Sequence, residues 1–235
     1  MTALPGVVRI ESYALRVVER AWPFAASNAA AIAANWQARS AANPSFFNGP
    51  IHLLSEWHMT GGCFSGAFIR TDFASYLYWR DQGYADPSMI DCFGSAVLRS
   101  SDGKILLGRQ APGHVNSGLT YFPGGFIDDR DVTPEGAIDI AASVRREAGE
   151  ELGFADGTFA ERPGAHLVRD GQLLCIAIDH VSPLDAETLL TQARRFIAGE
   201  PNSELEHVLA VATRAELSGL AMPGYARALL EQLLP

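Results

Sequence analysis

The sequence predicts an α+β fold built around a mixed β-sheet, and three observations support this prediction. Apolar runs are joined by glycine turns at Gly61-Gly62 and Asp102-Gly103, which is typical of β-hairpins. Amphipathic helical segments stand between these hairpins. The run QLLCIAIDHV is apolar almost throughout, as expected of a strand buried on both faces. Hairpins interleaved with helices favour an α+β architecture with a mixed sheet.

The first 88 residues contain their own strand and helix signals. VVRIESYALRVVE alternates in part and is rich in β-branched residues, which predicts a strand. A helix is predicted from a cap at Ser27 or Asn28 to Ala42, and the turn-rich loop NPSFFNGP follows it. IHLLSEWHM and CFSGAFIR form a hairpin, and DFASYLYWRDQG forms a helix that ends at Gly83. We interpret residues 1–88 as an N-terminal α/β extension that packs on the core.

A second set of elements begins at residue 89. IDCFGSAVLRS and KILLGRQ form a hairpin, and LTYFPGGFID is a strand that enters a glycine turn. Helices are predicted from Asp139 to Leu152, from a cap at Ser182 to Ala198, and over PGYARALLEQLL. Strands QLLCIAIDHV and EHVLAVAT separate them. We interpret residues 89–235 as the core domain.

Composition and charge limit the classes of partner. The hydrophobic content of 48% is ample for a packed core. A net charge of −9 without a long basic run disfavours a nucleic-acid partner. Cys63, Cys92 and Cys175 are far apart and form no zinc pattern, which predicts inert thiols in a reducing compartment.

The hydrophobic segments do not predict a membrane partner. MTALPGVVRI lacks a basic-then-apolar signal pattern, and AASNAAAIAANW is too short and too polar to span a bilayer. We therefore expect a soluble, cytoplasmic protein.

The segment RREAGEELGF (145–154) concentrates carboxylates on one face of the predicted helix. Residues three and four positions apart share a helix face, so Glu147, Glu150 and Glu151 project the same way. Apolar residues that repeat every four positions supply the opposite, buried stripe: Ile140, Val144, Ala148 and Leu152.

Clustered carboxylates repel each other unless a cation lies among them. Mg²⁺ and Mn²⁺ prefer such oxygen ligands. The alternative interpretation is a solvated helix face with an Arg146–Glu150 ion pair. The adjacent glycines of FPGGFID favour the metal site, because they allow a sharp turn and a close approach to a ligand.

This combination resembles the Nudix hydrolase family. The family's box is written G-x5-E-x7-R-E-U-x-E-E-x-G-U, where U is an apolar residue. Its second half matches the segment from Arg146 to Phe154 at every defined position, and its first glycine matches Gly125.

The spacing inside the box departs from the family. Twenty residues, 126–145, stand where the pattern has thirteen. Counted back from Arg146, the early glutamate falls at Ile138, and Asp139 beside it is a candidate replacement. The stretch DDRDVTPEGAID therefore predicts an enlarged loop. It does not fit an EF-hand, because Pro134 and Ile140 stand where Gly and Glu are needed.

The resemblance implies an α/β/α sandwich and a metal-dependent pyrophosphohydrolase that cleaves a nucleoside diphosphate linked to another moiety. It implies Mg²⁺, or Mn²⁺, held by Glu147, Glu150, Glu151 and the Gly125 carbonyl. Arg146 would orient the carboxylates. The general base would be Glu151 or a carboxylate of the later loop EPNSELEH, whose members are Glu204 and Glu206. Many relatives are homodimers, so either a monomer or a homodimer is expected.

A narrower resemblance involves the branch that cleaves UDP-glucose and UDP-galactose. NWQARSAANPSFFNGPIHLL and TDFASYLYWRDQG are similar to its N-terminal segment. Phe47 and Tyr121 are candidates to stack on a base or sugar, although both also suit core packing. Arg70 and Arg109 are candidates for phosphate or uracil contacts, although exposed arginines are common.

Two alternatives remain at this stage. One is a Nudix isomerase of isoprenoid diphosphates, which would require a catalytic cysteine that neither Cys63 nor Cys92 matches in context. The other is a Nudix-like module that senses a nucleotide without cleaving it, and the displaced early glutamate is its support. No GxSxG, Walker loop or HExxH motif indicates another chemistry.

Overall fold

The computed structural model of the protein describes residues 6–235. Residues 1–5, the first half of the segment MTALPGVVRI, lie outside the described residues. The strands are β1 (Val7–Ile10), β2 (Ser12–Val17), β3 (Pro50–Thr60), β4 (Cys63–Asp72), β5 (Asp91–Arg99), β6 (Ile105–Gln110), β7 (Thr120–Tyr121), β8 (Gly124–Gly125), β9 (Ala160–Glu161), β10 (Ala165–Asp170), β11 (Leu173–Val181) and β12 (Leu205–Val211). The helices are α1 (Pro23–Ser27), α2 (Ala29–Ala42), α3 (Phe73–Asp81), α4 (Ile140–Leu152), α5 (Ala186–Gly199) and α6 (Gly224–Leu233).

The large sheet is mixed and lies between helices. Its order is β1-β10-β11-β5-β6-β12, and the short strands β7, β8 and β9 pair with β6, β5 and β11. β11 and β5 run parallel, whereas β10 and β11 run antiparallel. The apolar faces of α4 and α5 pack on one side, and α6 packs on the other. These layers confirm the predicted α+β class and mixed sheet.

The segment VVRIESYALRVVE is two strands rather than the single strand predicted. β1 pairs with β10 in the large sheet, and β2 pairs with β4 in a separate three-stranded sheet of order β2-β4-β3. The chain bends at Glu11 to pass from one sheet to the other. Alternation alone could not reveal this bend, because both strands have the same periodicity. The division at residue 88 stays a proposal.

The enlarged loop is bound to β2. The amide of Val17 donates to the Gly136 carbonyl at 2.8 Å, and the amide of Ile138 donates to the Leu15 carbonyl at 2.9 Å. The loop is therefore ordered against the N-terminal strands before α4 begins.

Two core helices begin slightly later than predicted, α4 by one residue and α5 by three. Asp139 is the N-cap of α4 and accepts a hydrogen bond from the Ala142 amide at 2.9 Å. Helix α5 begins after Asp185, whose side chain accepts from the Thr188 amide, and not after Ser182. Both aspartates satisfy amides that the first turn of a helix leaves free.

The glycine turn lies beside the middle of the sheet. Gly124 and Gly125 pair with Ser95 and Gly94 of β5. A Cβ atom on Gly124 would lie 2.2 Å from the carbonyl oxygen of Gly94, so only glycine allows this approach. The turn therefore places the Gly125 backbone next to α4.

Two further properties concern the helices and the cysteine residues. None of the helices in residues 6–235 combines the length and apolar character needed to cross a membrane. In the described part of the chain the three cysteines are free thiols, with Cys92 and Cys175 buried and Cys63 half-buried.

Candidate active site

Helix α4 presents its carboxylates from a firmly packed position. Its four apolar stripe residues are buried: Ile140, Val144, Ala148 and Leu152. The helix ends at Gly153, whose φ of +70° is the left-handed conformation that glycine adopts without strain. Glu151 is 5% exposed, whereas the side chain of Glu150 is 51% exposed. The exposed fraction therefore differs strongly between these glutamates, from the buried Glu151 to the exposed Glu150.

Arg146 joins three carboxylates. Its guanidinium lies 2.7 Å from Glu147, 3.0 Å from Glu150 and 3.0 Å from Asp131. These contacts neutralise charge that would otherwise accumulate along one helix face. Arg146 thus holds α4 to the residues that follow the glycine turn.

Asp131 occupies the box position for which Asp139 was the candidate from the sequence. It lies six positions after Gly125, where the family pattern has its early glutamate, and its side chain is 2% exposed. The additional residues therefore follow Asp131 instead of preceding it. Counting forward from Gly125 would have found this residue, whereas counting back from Arg146 passed through the insertion.

Glu147 lies against the glycine turn. A Cβ atom on Gly125 would be 2.6 Å from the carboxyl carbon of Glu147. Burial raises the pKa of Glu147 to about 7, against the opposing effect of the Arg146 guanidinium. The carboxylate therefore sits where charge is costly unless a cation is near.

Glu151 is the most deeply placed of the three glutamates. Burial raises its pKa well above the ordinary value, and the charges of Glu147 and Glu204 act in the same direction. Its Oε2 atom is enclosed and has no hydrogen-bond partner among the described residues. An enclosed carboxylate oxygen without a partner is unfavourable, so it is suited to a cation or an acidic proton.

The donor chemistry of this cluster fits a hard divalent cation. The free Oε2 of Glu151, the carboxylate of Glu147 and the adjacent Gly125 backbone supply oxygen atoms of the type that Mg²⁺ and Mn²⁺ select. As the side chains stand, no group of three or more acidic, histidine or cysteine residues in residues 6–235 could hold a metal ion. Arg146 contacts Oε1 of Glu147, so the Oε2 atom of this carboxylate is the one that would bind a cation.

A cavity of about 830 Å³ opens beside the glutamates. Glu147, Glu150 and Gly125 line one part of it, and Glu204 lines it as well. Aromatic residues of the core and of the first 88 residues form much of its wall: Phe46, Phe47, Phe73, Tyr76, Tyr84, Phe93, Tyr121, Phe126 and Tyr225. This volume and lining are typical of a small-molecule site.

The remaining predicted site residues fall into two groups. Tyr121, which is 6% exposed, and Phe47, which is 79% exposed, both line the cavity. Arg70 is instead paired with Asp129 at 2.7 Å, and Arg109 is paired with Glu206 at 2.7 Å. Among the described residues that line the cavity, Arg70, Arg109 and Glu206 do not occur.

Two other arginines line the cavity, although neither was predicted from the sequence to do so. Arg130 lies 2.7 Å from Asp128 and 3.3 Å from Glu150. Arg80 projects from α3 and donates to the side-chain oxygen of Asn116 at 3.0 Å. The position of Arg130 just after the glycine turn could have indicated its place, whereas only the tertiary packing of α3 shows that of Arg80.

The comparison with protein families agrees with this geometry. Residues 94–170 match the family model of the NUDIX domain. The segment 94–170 therefore carries a Nudix domain, which supports the enzyme class predicted from the sequence, a Nudix hydrolase. No protein of curated function matches the sequence.

Solved structures with detectable similarity are distant in sequence. A Nudix hydrolase from M. smegmatis, RenU, is 19% identical, with 60% of this chain and 81% of that chain covered and a TM-score of 0.35. A MutT protein from Methanosarcina mazei Go1 is 20% identical, with coverages of 61% and 92% and a TM-score of 0.39. A bifunctional NMN adenylyltransferase/ADP ribose pyrophosphatase from Francisella tularensis, complexed with AMP and a Mn ion, is 16% identical, with coverages of 67% and 45% and a TM-score of 0.44.

Proposed function

We propose that the protein is a divalent-cation-dependent pyrophosphohydrolase acting on a nucleoside diphosphate linked to another moiety. The observation that carries the proposal is the placement of the α4 glutamates against a glycine turn at the wall of a large cavity. Glu147 and Gly125 are in close contact there, and Glu151 has a buried oxygen without a partner. A solvated helix face accounts for Glu150, whose side chain is 51% exposed, but not for the enclosed positions of Glu147 and Glu151.

Glu147, Glu150, Glu151 and the Gly125 carbonyl are the residues that would hold Mg²⁺ or Mn²⁺. When bound, such a cation neutralises phosphate charge and acidifies a water molecule. Arg146 acts as a positioning residue, because it fixes Glu147 and Glu150 relative to each other. Arg130 is placed to contact a substrate phosphate from the cavity wall.

Glu204 is better supported than Glu206 as the base that takes a proton from water. The charge of Glu204 acts on the pKa values of both Glu147 and Glu151, so its carboxylate is close to theirs. Glu206 is engaged with Arg109. Glu151 remains the other candidate, because its enclosed Oε2 atom has no hydrogen-bond partner among the described residues and could accept a proton.

The linked moiety is proposed to be a sugar, on the N-terminal resemblance described above and on the aromatic wall of the cavity. The comparisons with known proteins do not support the UDP-glucose and UDP-galactose branch in particular. The alternative of a sensing module loses its support, because Asp131 stands at the spacing of the early box glutamate.

Hydrolysis of a panel of nucleotide conjugates tests the proposal. The purified protein is incubated with Mg²⁺ or with EDTA, and nucleoside monophosphate is quantified by chromatography. We expect release that EDTA abolishes and that Glu151→Gln lowers at least 100-fold. Glu231→Gln, an exposed residue of α6, is the matched control and should retain full activity. Conjugates that bind without cleavage would contradict the proposal and favour the sensing module.

A further inference from the structure

The cavity contains a second polar cluster that the proposed hydrolysis does not use. It consists of Arg80 and Tyr76 from α3, Asp91 at the start of β5, and Tyr84, and all four residues line the cavity. We call it the Arg80 cluster. All four members precede residue 94, so the cluster is contributed by the part of the chain before the matched Nudix segment.

Asp91 is a buried carboxylate, and only one of its two oxygens accepts a hydrogen bond from the described residues. The residue is 4% exposed, and its Oδ2 atom accepts a hydrogen bond from the Tyr76 hydroxyl at 2.8 Å. Its Oδ1 atom accepts none from the described residues and is not fully enclosed. Because Asp91 lines the cavity, this oxygen is the one available to a ligand there. A buried carboxylate oxygen left without a donor is unfavourable, and a ligand hydroxyl or N–H would satisfy it.

Arg80 supplies the complementary donors. Its Nη2 atom contacts two oxygens of the loop after β6, the Asn116 side chain at 3.0 Å and the Val115 carbonyl at 3.4 Å. Neither of these contacts is with a carboxylate. A guanidinium carries five N–H donors, so several remain for a ligand in the cavity.

The surroundings of the cluster suit a flat or cyclic group. Tyr76 and Phe126 meet edge to face with ring centroids 4.8 Å apart, and Phe73 packs against both. Tyr84 adopts a φ of +61°, which is uncommon for a residue with a side chain and is typical of functional sites. An aromatic wall with a few placed polar groups is typical of a small-molecule site, and a donor beside an acceptor suits a ring that carries both kinds of group.

We propose that Arg80 and Asp91 form a specificity subsite for a neutral, polar ring of the substrate, with Arg80 donating hydrogen bonds to it and Asp91 accepting them. This assignment deepens the proposed function and rests on it for the identity of the substrate. Two parts of a nucleotide conjugate carry this chemistry, the hydroxyls of a linked sugar and the donor–acceptor edge of the base. Tyr76 is a positioning residue, because its hydroxyl fixes one oxygen of Asp91.

The variant Asp91→Asn tests the subsite without removing volume. The amide oxygen can still accept from Tyr76, which leaves an N–H₂ group facing the cavity in place of an acceptor. Asp81→Asn is the matched control, because Asp81 belongs to α3 but pairs with Arg39 and is not one of the described cavity residues. Calorimetric titration of UDP-glucose, ADP-glucose and UDP in EDTA measures binding without turnover, and thermal unfolding verifies that each variant is folded.

The pattern of losses identifies which ring is recognised. If the subsite binds the sugar, Asp91→Asn weakens UDP-glucose and ADP-glucose about tenfold and leaves UDP unchanged, since a hydrogen bond to a charged group contributes roughly this much. If it binds the base, UDP and UDP-glucose weaken alike. Arg80→Met should give the same pattern, with Arg39→Met as its control.

Affinities within twofold of the Asp81→Asn control for all three compounds would overturn the subsite, as would the absence of binding to the unmodified protein. The proposed hydrolysis fails in a different way. If Asp91→Asn changes binding but no conjugate is cleaved with Mg²⁺, the subsite stands and the pyrophosphohydrolase does not.

Discussion

The guanidinium of Arg146 lies 3.0 Å from the buried carboxylate of Asp131, and this ion pair connects the end of the glycine turn to the glutamate helix. The same guanidinium contacts Glu147 and Glu150. The additional loop residues lie between Asp131 and Asp139, the N-cap of α4. The insertion therefore does not interrupt the contacts of Arg146. The box therefore tolerates a longer loop because both of its ends are anchored.

Removal of Asp131 should damage both stability and activity. Asp131→Ala leaves Arg146 without its most buried partner, and breaking such a pair costs about 3 kcal/mol of unfolding free energy. We also expect a loss of kcat, because Arg146 is then free to reorient Glu147. Urea unfolding and steady-state kinetics measure the two effects, with the exposed Asp156→Ala as control. Unchanged kinetics would show that Asp131 does not act through Arg146.

Asp139 should behave differently from Asp131, since it caps α4 and does not touch Arg146. Asp139→Ala removes the acceptor for the Ala142 amide, and the loss of an N-cap costs about 1 kcal/mol. The same urea and kinetic measurements should show lower stability with kcat retained. A fall in kcat equal to that of Asp131→Ala would return Asp139 to the role that the box spacing first indicated.

The two glycines of the turn should separate folding from catalysis. In Gly125→Ala the new methyl group meets the end of the flexible Glu147 side chain, which can move, so the protein folds but loses activity. In Gly124→Ala the methyl group meets the backbone of Gly94 at 2.2 Å, so the sheet itself must distort. Circular dichroism and activity assays distinguish these results. A folded, fully active Gly125→Ala would contradict the close placement of Glu147.

Asp91 should make stability depend on pH. Burial raises its pKa to about 6, while the Tyr76 hydroxyl and Arg80 oppose the rise. The folded state therefore holds the proton more tightly than the unfolded state, whose value is near 3.8. Ionisation of Asp91 therefore lowers the free energy of unfolding. The loss is absent below the unfolded pKa, grows as the pH rises to and through about 6, and reaches up to about 3 kcal/mol at higher pH.

Asp91→Asn removes this titration. The variant should match the wild type near pH 4 and exceed it in unfolding free energy at pH 8, as measured by urea unfolding across that range. Asp81→Asn serves as the control, since it leaves Asp91 in place. A difference between Asp91→Asn and the wild type that does not vary with pH would show that Asp91 is not buried as an acid.

The sequence predicted the local features of the site better than its long-range ones. Periodicity predicted the buried stripe of α4, and the spacing of Glu147, Glu150 and Glu151 predicted its carboxylate face, because both depend only on helix geometry. Gly153 ended the helix as expected. The turn at Gly61-Gly62 was likewise predictable, since both glycines adopt positive φ.

Features that depend on tertiary packing could not be predicted. Arg70 and Arg109 were predicted as ligand contacts by residue type alone, but they form ion pairs with Asp129 and Glu206 at the surface. Arg80 was passed over because no local pattern distinguishes it from any exposed helical arginine. Its place in the cavity arises from the packing of α3 against the core, which involves residues far apart in the chain.

Titration of the protein with Mn²⁺, followed by electron paramagnetic resonance of the free ion, tests the central claim most directly. We predict saturable binding that Glu151→Gln weakens at least tenfold and that the exposed Glu231→Gln leaves unchanged. Equal Mn²⁺ binding by the wild type and Glu151→Gln, or no binding by either, would contradict the assignment of the α4 glutamates as a cation site.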